Sequence, residues 1–166
     1  MVGQRGEPVR RRPRHEPKPS LSEGCRCLGS CVELAGWTKP GLQALEALHR
    51  ALITNASQAE CSHHLDACFE ASEPRAPRWD YVVVTRTSAS VAIEVHAGND
   101  ARADEMLAKR AWAHEKLRSL CPSVLPSRWI WLVPPDSRFT FNPNGHRRRL
   151  LQQAGIEAPA RRLSLP

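Results

Sequence analysis

The stretch DYVVVTRTSASVAIEVH, residues 80–96, decides the fold. Tyr81 to Thr85 is a β-branched, nearly continuous apolar run, Val91 to Val95 is another, and Thr87-Ser88-Ala89-Ser90 lies between them. That pattern predicts a β-hairpin. With the turn centred on Thr87, antiparallel partners carry numbers that sum to 174, so Asp80 falls opposite Glu94. Side chains alternate faces along a strand, so Glu94 and His96 point one way while Val91, Ile93 and Val95 point the other. An acidic group inside Val91-Ala92-Ile93-Glu94-Val95 is costly unless it is paired, bound to metal or on a polar edge, so something must compensate Glu94.

Downstream, Gly98-Asn99-Asp100 breaks the pattern, and Ala101 to Leu120 follows with Met106, Ala113, Leu117 and Leu120 on one face, predicting the longest helix. Trp129 to Val133 predicts a third strand, ended by Pro134-Pro135. Trp129 and Trp131 point to one face of it and Ile130 and Leu132 to the other, as expected of a strand covered by helices on both sides. Arg147 to Ala154 predicts a last helix stopped by Gly155. Upstream, Leu42, Leu45, Leu48, Leu52 and Ile53 recur at spacings of three and four, predicting a helix from Gly41 to about Ile53 with Pro40 at its start. Residues 61–70 read as a second short helix, after which Pro74 and Pro77 break the chain. The fold class is therefore α/β, a small mixed sheet with an antiparallel hairpin, flanked by helices.

At 166 residues the chain fits one domain. Its formal charge of +7 is unevenly placed: residues 1–20 hold six Arg or Lys against two Glu, and residues 144–166 hold five Arg against one Glu. Residues 1–22, with Arg10, Arg11, Arg12 and the proline-containing run 13–19, have almost nothing apolar to bury and read as a disordered basic tail. The domain is expected over 23–156, with 157–166 a C-terminal tail. Basic ends raise encounter rates with phosphate-rich partners, so DNA or RNA contact is expected through Arg10, Arg11 and Arg12 and through Arg147, Arg148 and Arg149. No run of about 18 apolar residues exists and residues 1–19 lack the apolar core of a signal peptide, which leads to an expectation of no membrane and of a cytoplasmic protein.

Asp80, Glu94 and His96 are the candidate site. Oxygen ligands in such a cluster suit Mg²⁺ or Mn²⁺, which generates a nucleophile from water and offsets charge on a phosphate being cleaved. The bland alternative has Asp80 capping the strand start, Glu94 paired with an Arg and His96 simply ending a strand. The pattern resembles the PD-(D/E)XK, or restriction-endonuclease-like, superfamily, whose core is helix, antiparallel hairpin, helix, strand; the likeness spans roughly residues 41–133. Asp80 matches its first acidic position and Glu94 its second, while His96 stands where that family has Lys. In some members a helical Lys replaces the strand Lys, and Lys109 lies on the helix after the hairpin. The resemblance thus implies a metal-dependent nuclease with Asp80 and Glu94 as metal ligands, His96 as third ligand or proton-transfer group, and Lys109 balancing charge. Its alternative is a domain that keeps the fold without catalysis and binds nucleic acid or a protein partner. Glu94-Val95-His96 followed by Lys109-Arg110-x-Trp112 is also similar to uncharacterised bacterial proteins of this fold.

The six cysteines are expected as thiols in a reducing compartment. Cys25-x-Cys27-x3-Cys31, with Cys61, Cys68, His63 and His64, offers zinc ligands, but no CxxC occurs and zinc is not expected. His49 and His114 are expected at exposed helical positions. Trp79, Trp112, Trp129 and Trp131 offer stacking surfaces for bases, with core packing the favoured reading.

Overall fold

The computed structural model describes residues 20–166, so all but the last three residues of the expected basic tail lie outside it. In chain order the strands are β1 (Thr38–Pro40), β2 (Ile53–Thr54), β3 (Ala59–His64), β4 (Tyr81–Thr85), β5 (Ser90–Val95), β6 (Arg128–Leu132) and β7 (Leu163–Ser164). The helices are α1 (Glu23–Ser30), α2 (Ala47–Arg50), α3 (Leu65–Phe69), α4 (Ala103–Leu120) and α5 (His146–Gln153). Five strands form one mixed sheet in the order β1-β3-β4-β5-β6, antiparallel except for the parallel β5–β6 pair, while β2 and β7 pair separately. The fold class is the expected one.

The hairpin has the register read from the sequence, with Tyr81 opposite Ile93 and Val84 opposite Ser90. Every residue of β4 is buried, because both faces of the sheet are covered. On one face Val82, Val84, Ala92, Trp129 and Trp131 pack with Met106, Ala113 and Leu117 of α4. On the other, Tyr81, Val83, Val91, Ile93, Ile130 and Leu132 pack with Leu42, Leu45, Leu52 and Ile53. Trp79, Trp129 and Trp131 are thus core residues, not exposed stacking surfaces. The buried Trp131 indole N–H donates to the His96 carbonyl at 3.1 Å, tying β6 to the end of β5.

Four expectations are corrected. The helix over 41–53 shrinks to α2: Gly41 sits at φ +54°, outside the helical region, and the Ala44 N–H donates to the Ser62 hydroxyl at 3.0 Å instead of extending a helical ladder. Leu42, Leu45, Leu52 and Ile53 are buried as their spacing predicted, but through turns and, for Ile53, strand β2, and Leu48 is 81% exposed. Residues 61–70 divide into the end of β3 and the short α3, because the run Cys61 to His63 fills a strand buried between β1 and β4. Residues 157–166 are not a tail: Leu163 and Leu165 are buried, β7 pairs with β2, and Asn55 Nδ2 donates to the Leu165 carbonyl at 2.6 Å.

The fourth correction concerns the cysteines. Ser22 caps α1, its hydroxyl accepting from the Cys25 N–H, and the helix presents Cys25 and Cys27 to different parts of the body. Cys25 is bonded to Cys61 of β3, and Cys27 to Cys121 at the end of α4. Cys31 and Cys68 are free thiols. Four sulfurs are thereby removed from any zinc set. No helix among the described residues is long and apolar enough to cross a membrane.

Candidate functional site

The start of β4 and the end of β5 meet at one end of the hairpin, and the polar residues singled out in the sequence gather there. Asp80 immediately precedes β4, so the hairpin register carried one step further sets it against Glu94. The Asp80 N–H donates to Glu94 Oε2 at 3.0 Å, and the Val95 N–H donates to Asp80 Oδ2 at 2.9 Å. Side-chain carboxylates thus replace carbonyls as the acceptors of the terminal rung.

Helix α4 crosses over this end. Lys109 donates to Glu94 Oε1, and His96 Nε2 lies 3.5 Å from Glu105 Oε1. The two contacts are matched by geometry: two residues along a strand advance roughly 6.6 Å and four along a helix roughly 6 Å, so Glu94 and His96 find Lys109 and Glu105 in reverse order. Glu105 also accepts from Arg102 at 2.8 Å. The compensation that Glu94 requires is therefore a lysine from the next helix, not an arginine. The structure joins Asp80, Glu94 and Lys109, and it gives His96, expected as a third ligand beside the two carboxylates, a different carboxylate partner.

Glu94 is wholly buried and the Lys109 side chain is 15% exposed. Burial and then the Asp80 charge push Glu94 above the usual carboxylate range, and Lys109 opposes them. Burial would lower Lys109, but the Glu94 charge and hydrogen bond outweigh it and hold the ammonium above its ordinary value. Both Glu94 oxygens accept hydrogen bonds, one from Lys109 and one from the Asp80 N–H, which is the arrangement of an ionised carboxylate beside a charged lysine. Asp80, half-buried, is also raised, by burial first, while the Val95 N–H and Lys109 lower it.

Two carboxylates face one ammonium here, so the group lacks one positive charge. Mg²⁺ characteristically takes one or two carboxylates and keeps several waters, and that donor set is the one Asp80 and Glu94 offer. Among the described residues no three His, Cys, Asp or Glu side chains are already gathered as a metal centre. His96 Nδ1 is buried without a hydrogen-bond partner, which leaves one imidazole nitrogen beside the site uncommitted.

Sequence reasoning missed the partners around this end of the sheet. Glu105 was legible in principle, since it lies four residues before Lys109 and so on the same helix face. His49 was not: it is half-buried, with Nδ1 2.9 Å from the Tyr81 hydroxyl, a contact made across the fold. His64 packs at a 38° tilt against the same tyrosine, with ring centroids 4.5 Å apart. Of the basic residues expected to meet phosphate, Arg147 is paired with Asp104, and Arg10, Arg11 and Arg12 lie outside the described residues. No family model, curated protein or solved structure matches this chain.

Proposed function

We propose that the chain is a metal-dependent, nuclease-like protein acting on nucleic-acid phosphodiesters. The facing pair Asp80 and Glu94, with Lys109 on Glu94, carries this reading: two carboxylates and one ammonium at the end of a hairpin lack one positive charge. Asp80 and Glu94 would hold Mg²⁺ or Mn²⁺, which supplies that charge and Lewis acidity toward a phosphodiester. Lys109 orients Glu94 and offsets negative charge on a phosphate brought to the site. His96, whose Nε2 lies 3.5 Å from Glu105 and whose buried Nδ1 has no partner, would be the proton-transfer group in this reading. The element order helix, hairpin, helix, strand supports the PD-(D/E)XK resemblance, with Lys109 from α4 in the role of the strand lysine. The two disulfides favour an oxidising compartment over the cytoplasm expected from the sequence.

One observation favours a second reading. Glu94 has no exposed surface and both its oxygens are already engaged, as in a domain that keeps the fold without hydrolysis and binds nucleic acid. Calorimetric titration with Mn²⁺, followed by a plasmid-nicking assay on the same samples, separates the two. The hydrolytic reading expects stoichiometric binding and nicking, both lost in Asp80→Asn and in Glu94→Gln. A wild type that neither takes up Mn²⁺ nor nicks leaves only the second reading.

A further inference from the structure

The loop after β6 returns to the hairpin end. Phe139 forms a bridge with Gly98, two residues beyond His96, and the Thr140 N–H donates to the Gly98 carbonyl at 2.8 Å. Glycine permits this approach: a Cβ at position 98 would lie 2.6 Å from both Phe139 Cδ2 and Val133 Cγ2. Phe139 is nevertheless 45% exposed, an uncommon state for a large aromatic ring. The Arg161 guanidinium lies 5.6 Å from its ring centroid and donates to two backbone carbonyls, those of Pro134 and Ser137. Its charge is therefore positioned by neutral acceptors.

Beyond Arg161 the surface opens into a cavity of about 820 Å³, walled by Leu48, Leu52 and Pro134 on its apolar side and by Arg161 and Arg162, with Asp136 also in the wall. Leu48, Arg161 and Arg162 are all exposed. An open aromatic ring backed by a guanidinium, leading to two arginines and an apolar hollow, fits a polymer that alternates flat bases with phosphates. Stacking on an aromatic face and phosphate contact to arginine are what sequence-tolerant single-strand binders combine. A duplex keeps its bases inside and offers such a ring nothing to stack on.

We propose that Phe139, Arg161 and Arg162 form a surface that binds single-stranded nucleic acid. This rests on the nucleic-acid reading above, but not on cleavage. The test is fluorescence anisotropy of the full chain with a fluorescein-labelled oligothymidylate in EDTA, so that no metal-dependent step contributes. Wild type is expected to bind, and to prefer the single strand to a duplex of equal length. Phe139→Ala is expected to weaken binding by about tenfold, as loss of one base stack does. Phe139→Trp should retain binding, which a merely structural phenylalanine does not require. Arg161→Gln/Arg162→Gln should weaken binding and flatten its salt dependence, and it keeps a readout should Phe139→Ala fail to fold. Arg118→Gln, at an exposed arginine that pairs with Glu115 on α4, should bind as wild type does, so that a loss at Arg161 and Arg162 is specific to this surface. Equal binding by wild type and folded Phe139→Ala, a preference for duplex, or loss of binding only in Arg10→Gln/Arg11→Gln/Arg12→Gln would overturn the proposal.

Discussion

Asp80 and Glu94 are linked twice through backbone N–H groups: Glu94 Oε2 takes the Asp80 N–H at 3.0 Å, and Asp80 Oδ2 takes the N–H of Val95, next to Glu94, at 2.9 Å. The pair is thus a structural clasp on the hairpin as well as a candidate cation site. Asparagine at 80 keeps an oxygen for the Val95 N–H, whereas alanine strands that donor, a loss of about 1–3 kcal/mol. We expect Asp80→Asn to unfold in urea close to wild type, and Asp80→Ala to unfold at a clearly lower midpoint. Equal midpoints for the two variants would show that the Val95 contact contributes nothing.

Lys109 is the cation that makes a wholly buried glutamate tolerable. Lys109→Met leaves Glu94 buried beside Asp80 with no positive charge, and removing one partner of a buried pair costs about 3–5 kcal/mol. Chemical denaturation should show a loss in that range, partly recovered in Lys109→Met/Glu94→Gln, where no charge remains to be paired. A single variant as stable as wild type would mean that Glu94 is protonated in the native protein.

His63 gives the fold a dependence on pH. It has no exposed surface; burial and then the neighbouring His64 lower its pKa from 6.5 to about 4. Its Nδ1 lies 3.0 Å from the Thr38 hydroxyl, while Nε2 has no partner. Between those two pH values the unfolded chain binds the proton that the folded chain excludes. Stability from this residue is therefore complete above pH 6.5 and lost as the pH falls toward 4, by about 3 kcal/mol in all. Asp80 and Glu94, raised on folding, act with the opposite sign. The comparison to make is wild type against His63→Gln, whose loss of stability on acidification should be smaller. Parallel curves would exclude His63 as the cause.

The disulfides constrain very different lengths of chain. Cys25–Cys61 spans 36 residues and Cys27–Cys121 spans 94. By loop-closure entropy these correspond to about 4 and about 5 kcal/mol of stabilisation. Thermal unfolding should show a larger loss for Cys27→Ser/Cys121→Ser than for Cys25→Ser/Cys61→Ser. Alkylation without reductant should reach only Cys31 and Cys68, and Cys68 slowly, since burial raises its thiol to about 11. Six alkylated cysteines in the unreduced native protein would contradict both bonds.

What the sequence made legible was what period and local chemistry carry. The hairpin register, the two faces of Trp129 to Leu132 and the span of α4 follow from alternation, β-branching and helical spacing. The site was half legible, since register alone set Asp80 against Glu94, but the reversed pairing with Lys109 and Glu105 needed the crossing of α4. The strand at 59–64 was hidden because Cys61, Ser62 and His63 are buried polar or small residues, each held by a distant partner: a disulfide, the Ala44 N–H and Thr38. Leu42 to Ile53 gave a helical spacing that turns also satisfy. Disulfide pairing is invisible to spacing, and the expectation of thiols rested on compartment alone.

The broken C-terminal segment has one more consequence. It lies along the outer side of β6, with Ile156 bridging Trp129 and Ala160 bridging Leu132, so the open ladder on that side of the sheet is occupied. At the opposite margin β1 is three residues long and ends in Pro40, which has no N–H to offer. Neither margin invites a foreign strand, which guards the protein against edge-to-edge assembly and directs association with other molecules to its faces and loops.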